Sequence, residues 1–154
     1  NGTAERAIRS LDESVTTMLL DSNLPPRFWE DAVVHSDYIH NCTSSSTSTD
    51  IPLTIATGRS PDPSTFHRFG AVSVFRRDTR SKQVFEPRGR LGIFLGVSPR
   101  HTHGTYCIYN LSTGRTVFSR SVHVFDAFTP PGLIDPSTLL DYLRANRFFR
   151  TWSS

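Results

Sequence analysis

The apolar residues of this chain change their spacing midway, and this change constrains the fold more than any other feature. From Ala4 to Leu19 they recur every three or four positions, which predicts an amphipathic helix ending near Asp21, before two prolines. After Gly70 they alternate with polar residues or form short continuous runs, as in β-strands. The sequence therefore predicts an α+β fold, with helices first and a small all-β unit after them.

The predicted helical part is a hairpin followed by a single turn. A second helix should begin near Arg27, and Pro52 should open a helical turn that Gly58 closes. The residues expected on the inner faces of the two long helices are Ala4, Ile8, Leu11, Val15 and Leu19, then Trp29, Ala32, Val33, Ser36 and Ile39. Two short helices cannot bury both faces alone, so we expect them to pack against another surface.

The predicted β part is a small barrel or sandwich. Its strands are expected near residues 72–76, 93–97, 105–109 and 116–125, with a hairpin loop at 110–114. The boundaries predicted from composition are helices at 1–58, a turn-rich linker at 59–67, the β unit at 68–126, and a tail at 127–154. A partial apolar stripe from Pro136 to Phe149 indicates a carboxy-terminal helix in that tail.

The composition argues against several classes of protein. No apolar run approaches the roughly 18 residues of a membrane span, and no amino-terminal segment resembles a signal peptide. Cys42 and Cys107 are too few for a disulfide framework. We therefore expect an intracellular protein, nuclear or cytoplasmic, with no membrane partner.

The charge is divided unevenly along the chain. Residues 1–50 carry three basic and eight acidic side chains, a net −5, whereas residues 51–154 carry fourteen basic and six acidic, a net +8. All the basic residues except Lys82 are arginines, which grip phosphate through paired hydrogen bonds. This pattern points to an anionic partner for the second half, although a codon bias toward arginine explains it equally well.

Several strings of residues, in this order, resemble the integrase region of copia-type retrotransposon Pol polyproteins. They are Asn1 to Arg6, Met18 to Pro25, Phe28-Trp29, Ala32-Val33, Thr57 to Asp62, Arg68 to Gly70, Gly92 to Gly96, Ser119-Arg120 and Phe125-Asp126. The resemblance implies that residues 1–58 are the last helices of an RNase H-like catalytic core. It also implies that residues 68–126 are an SH3-like β-barrel domain of the kind found in retroviral polymerases.

The resemblance also implies a chemistry. Integrases of this kind hold two magnesium ions with three carboxylates, and Glu5 matches the third of them. The two partner aspartates would lie upstream of Glu5, and Asp12 is roughly 10 Å further along the helix, too far to share an ion. We therefore expect a fragment that needs no cofactor and is not an enzyme by itself. Without the resemblance, Glu5 is an exposed helix-start acid paired with Arg9.

The strongest candidate for binding is the segment from Arg76 to Arg90. Its basic residues are Arg76, Arg77, Arg80, Lys82, Arg88 and Arg90, opposed by Asp78 and Glu86. Such a loop neutralises phosphates without reading sequence, and Phe85 could stack on an unpaired base. The alternative is a charged loop that protects a strand edge from aggregation. Arg9 is a further candidate through the resemblance, or else part of a solvated helix face.

Three functions remain open from the sequence. The first is an integrase remnant that binds nucleic acid weakly. The second is a domesticated interaction module whose helices self-associate and whose barrel binds protein through Phe66, Phe69, Phe75 and Phe94. The third, an active strand-transferase, requires acids encoded upstream. A zinc site at His35, His40 and Cys42 is disfavoured, because this spacing fits no common finger.

Overall fold

A computed structural model describes residues 2–44, 49–76, 89–101, 104–127, 137–139 and 141. Three helices come first: α1 (Gly2–Ser22), α2 (Trp29–Cys42) and α3 (Pro52–Thr57). The strands follow: β1 (Val72–Arg76), β2 (Gly89–Val97), β3 (Tyr106–Asn110), β4 (Arg115–Ser119) and β5 (Val122–Phe125). Residues 137–139 and 141 are again helical. The predicted α+β architecture, with helices before a β unit and a helix after it, is confirmed.

The two long helices form the predicted hairpin. Asn23 adopts a left-handed conformation (φ 53°) after α1, and a single 3₁₀ turn at Pro26–Phe28 leads into α2, which packs against α1. Gly58, with φ 70°, closes α3 as expected. In the described residues, no helix has the length and apolar character needed to cross a bilayer.

The predicted inner faces of the helices are partly wrong. Ile8 is 61% exposed and Trp29 is 54% exposed, whereas His35, not predicted to face inward, is only 2% exposed. The reason is that α1 packs through its carboxy-terminal half, where Val15 and Ser22 are buried, while residues 2–10 stay exposed. Helical periodicity identifies the apolar face of a helix, but it does not show how much of that face is buried against other elements.

The five strands form one antiparallel sheet in the order β4-β3-β2-β1-β5. The segment predicted as one strand, 116–125, is divided at Arg120 and Ser121 into strands on opposite edges of that sheet. In a flat sheet these edges would lie about 19 Å apart, but three peptide units span at most about 11 Å. The sheet must therefore curl until its edges approach, which makes it a small barrel.

The two faces of the curled sheet have separate cores. The inner face encloses Phe75, Phe94 and Ile108, with Val117 packed against them. The outer face, including Val72 and Ile93, packs under the helices with a cluster that is completed by Val15, Leu24, Phe28, Ala32, Phe69, Leu95 and Leu139. Leu139 is fully buried in this cluster, so the carboxy-terminal helical residues are anchored to the outer face.

Helix α2 approaches the sheet closely at a bulge in β2. The register between β2 and β3 shifts between Phe94 and Gly96. A Cβ atom at Gly96 would lie 3.1 Å from Nδ1 of His35, and the His35 ring lies edge-on to Phe94 with centroids 5.6 Å apart. Because Gly96 has no side chain, α2 can pack closely against β2 at this point.

Candidate nucleic-acid interface

The strand β1 ends beside the corner between β4 and β5. The backbone N–H of Arg76 donates to the carbonyl oxygen of Ser121 (3.0 Å), and Oγ of Ser119 donates to the carbonyl oxygen of Arg76 (3.4 Å). These bonds are possible because the barrel closure brings the two sheet edges together. They place Arg76 next to Arg120 although 43 positions separate them in the sequence.

Open cavities surround this junction. One of about 660 Å³ is lined by Arg76, Arg115 and Phe118, and one of about 440 Å³ by Arg76, His101, Phe118 and Arg120. We call Arg76, His101, Arg115, Phe118 and Arg120 the barrel mouth. No carboxylate lines either cavity among the described residues. The surroundings therefore suit an anion.

Within the described part of the chain, the three arginines of the barrel mouth form no ion pair. The ion pairs found within the described ranges join Arg68 to Asp21 (2.7 Å) and His67 to Asp126 (2.9 Å), and they include none of Arg76, Arg115 and Arg120. All three arginines are exposed. An exposed guanidinium group without a carboxylate partner retains its full capacity to bind phosphate.

Two aromatic rings stand beside these arginines. Phe118 is 51% exposed, and the ring of His101 stacks on it with centroids 4.2 Å apart at an interplanar angle of 27°. Nδ1 of His101 lies 2.7 Å from Oγ of Ser98, and the backbone N–H of Ser98 donates to the Thr105 carbonyl oxygen. The stack is therefore held to the loop between β2 and β3.

The predicted basic segment is described only at its ends. Arg76 is in the barrel mouth, and Arg90 lies opposite Phe75 in β2, half-buried. The remaining predicted contacts, Arg77, Arg80, Lys82 and Arg88, with Phe85, lie outside the described residues. Sequence reasoning missed Arg115, Arg120, Phe118 and His101. An exposed phenylalanine next to the inward Val117 could have been found by alternation, but the meeting of β1 with β4 required the topology.

Glu5 and Arg9 lie on the exposed amino-terminal half of α1. The predicted ion pair between Glu5 and Arg9 is not among the ion pairs of the described residues. The neighbouring Arg6 donates from Nε to the Gly2 carbonyl oxygen (3.0 Å). In the described part of the chain, no group of three or more His, Cys, Asp or Glu side chains is placed to hold a metal ion. Glu5 alone does not fit a magnesium site, so no catalytic step is assigned to it.

The buried titratable groups are packing residues. Burial, opposed by a smaller contribution from a hydrogen bond to the His67 backbone, lowers the pKa of His35 to about 4. Burial and the neighbouring Asp31 carboxylate raise the pKa of Cys107 to about 12. Cys107 is therefore a thiol at neutral pH rather than a reactive thiolate.

The aromatic residues named for a protein-interaction module are mostly inaccessible. Phe69, Phe75 and Phe94 are at most 4% exposed, which contradicts a direct binding role, and Phe66 is 37% exposed. A different apolar groove of about 850 Å³ runs between α2, α3, the linker and the barrel. Its apolar lining includes Val33, Val34, Leu53 and Val97.

Comparison with known proteins agrees with the barrel. Residues 72–137 match the family described as retroviral polymerase SH3-like domain. The match covers all five strands. No solved structure matches the chain significantly. The family match supports the origin of this chain in a retroelement Pol protein.

Proposed function

We propose that this chain is the integrase region of a copia-type retrotransposon Pol polyprotein and that its barrel mouth binds nucleic acid. The observation that carries the binding proposal is the convergence of Arg76, Arg115 and Arg120 around cavities whose described lining contains no carboxylate. Arginines in such an arrangement neutralise phosphates and release counterions, independently of base sequence.

The charge distribution supports the same side of the molecule. Helices α1 and α2 belong to the half of the chain with net charge −5, and the barrel belongs to the half with net charge +8. Four further basic residues follow Arg76 in the segment that connects β1 to β2. This charge difference would steer a polyanion toward the barrel and away from α1 and α2.

Support for the integrase origin combines the family match with the residues before the barrel. The strings from Asn1 to Asp62 resemble the end of an integrase core, and Glu5 stands where the third metal-binding carboxylate of that core is expected. Binding rather than catalysis is the function proposed for the 154-residue chain.

A salt titration of duplex DNA binding tests the proposal. The triple variant Arg76→Ala, Arg115→Ala, Arg120→Ala is compared with the wild type by fluorescence anisotropy. Each lost phosphate contact makes the negative slope of log K against log salt shallower by about 0.9, so the magnitude of the slope should fall by up to about 2.7.

A matched control carries the same charge change elsewhere. The triple variant Arg6→Ala, Arg9→Ala, Arg59→Ala removes three exposed arginines outside the barrel mouth and should leave the slope close to the wild-type value. A slope reduced only in this control would overturn the barrel mouth and assign binding to α1, where the resemblance places Arg9. An unchanged slope in both variants would reject both surfaces.

The apolar groove favours a second candidate function, a protein-interaction module. In that case the chain binds a partner through Val33, Val34 and Leu53, and nucleic-acid binding at physiological salt is absent. Absence of duplex binding by the wild type, together with partner capture that a Val34→Asp variant abolishes, would favour this candidate.

A further inference from the structure

We propose that the stacked rings of His101 and Phe118 form a platform for an unpaired nucleobase, so that the barrel mouth takes single-stranded nucleic acid in preference to duplex. This inference rests on the proposed function and specifies its ligand. The ligand class is a phosphate-linked strand with at least one base free to stack.

The first argument is the exposure of Phe118. Along β4, Val117 points into the inner core beside Ile108, and the next residue, Phe118, lies on the opposite face. Its ring is 51% exposed, although leaving a phenylalanine in water forfeits roughly 1.5–3 kcal/mol of burial free energy. The fold does not use this ring in either core cluster. An exposed aromatic ring beside exposed arginines is available to a ligand.

The second argument is the preorganisation of the platform. The His101 ring is held by Ser98 at 2.7 Å and lies nearly parallel to Phe118. Because the two rings are already stacked, a base that continues the stack does not have to order them first. Stacking requires only the flat face of a base, and every base has one.

The third argument is the position of the arginines relative to the rings. Arg76 and Arg120 line the same 440 Å³ cavity as His101 and Phe118. That volume lies in the range of small-molecule sites. A base on the platform would therefore bring its own phosphate to the two guanidinium groups, whereas bases in a duplex have their faces covered by neighbours.

An added peptide strand is the competing occupant, since β4 is a sheet edge. The carboxy-terminal end of that edge is already occupied, because Oγ of Ser119 donates to the Arg76 carbonyl oxygen. Three arginines near β4 that pair with no carboxylate in the described ranges also favour a polyanion over a neutral strand. Single-stranded nucleic acid is therefore the occupant that the charges and the rings both fit.

The test compares single-stranded and duplex binding in the full chain. Phe118→Ala should weaken the binding of oligo-dT and oligo-U by at least about 5-fold, while duplex binding changes less than about 2-fold. Phe118→Tyr should retain single-strand binding because it keeps the ring. A stronger loss for oligo-U than for oligo-dT, or the reverse, identifies RNA or DNA as the preferred strand.

The matched control is another exposed aromatic residue. Trp29 is 54% exposed at the start of α2, and Trp29→Ala should leave single-strand binding unchanged. Unchanged oligo-dT and oligo-U binding in Phe118→Ala would overturn the platform, as would an equal loss of single-strand and duplex binding. Persistent duplex binding in those cases would leave the proposed function intact. Failure of the wild type to bind either probe would overturn the proposed function and this inference together.

Discussion

The outer face of the barrel sheet and the barrel mouth differ in what they leave available. On the outer face, Val72 and Ile93 are fully buried under the helices. At the barrel mouth, Arg76, Arg115 and Arg120 are exposed and have no carboxylate partner among the described residues. The difference indicates that the helices stabilise the barrel over one part of its surface and leave the barrel mouth open to a ligand. Stability and binding should therefore respond to different substitutions.

The largest expected effect is a difference in stability between alanine variants of two phenylalanines in the same barrel. Phe94 is fully buried in the inner core, and Phe94→Ala should lower the free energy of unfolding by about 3–5 kcal/mol through lost burial and a residual cavity. Phe118→Ala, at the barrel mouth, should lower it by only about 0.5–1.5 kcal/mol, because the ring is half-exposed and mainly its stacking on His101 is lost. Urea unfolding of both variants measures the contrast. A loss of similar size at Phe118 would mean that the mouth is part of the stabilising core.

The sequence predicts the helices and strands better than it predicts which strand ends lie side by side in the fold. The change from helical to alternating spacing predicted α1, α2 and most of the strands, because each period is a local property of the chain. The hairpin loop at 110–114 was likewise predicted, and Gly114 there has φ 64°. At Arg120 and Ser121 the sequence predicts one continuous strand, since β-branched and aromatic residues lie on both sides.

The candidate site was predicted only in part for a related reason. The local density of basic residues identified Arg76, which the structure places in the barrel mouth. Arg115, Phe118 and Arg120 reach Arg76 only because β5 crosses to the other edge of the sheet. Such a long-range closure has no local signal in one sequence. Predicting it requires knowing that two residues must join strands on opposite edges.

The next effect concerns the histidine between helix and barrel, and it depends on pH. Burial lowers the pKa of His35 from its ordinary value of 6.5 to about 4, so the unfolded chain binds the proton first. Stability from neutral His35 is full above pH 6.5 and is lost as pH falls toward 4, by roughly 3 kcal/mol in all. Urea unfolding at pH 7 and pH 4 should show this loss in the wild type.

A non-titrating variant separates His35 from the other acid-sensitive groups. His35→Gln should lose roughly 3 kcal/mol less than the wild type over the same pH range, whatever its stability at pH 7. That result would mean that the packing of α2 on the barrel depends on His35 being neutral and weakens when acid protonates it. Equal losses in wild type and variant would show that protonation of His35 does not weaken the interface.

The smallest effect compares two glycines that both have a positive φ but lie in different surroundings. Gly70 (φ 79°) enters the barrel beside the end of α1, where an added Cβ would meet Cβ of Ser22 at 2.2 Å. Gly58 (φ 70°) closes α3 with nothing within 4 Å. Both alanine variants incur the left-handed penalty of about 1–2 kcal/mol. Gly70→Ala should cost about 1–3 kcal/mol more, because the packed helix end must shift.

The difference between these two variants isolates the contact between helix and barrel, since the backbone penalty is common to both. Thermal and urea unfolding of Gly70→Ala and Gly58→Ala under identical conditions measure it. Shortening the clashing side chain with Ser22→Gly in the Gly70→Ala background should recover part of the loss. An equal loss in the free energy of unfolding at both glycines would mean that the end of α1 moves away from the added methyl group at no cost. The contact between α1 and the barrel at Ser22 would then not stabilise the protein.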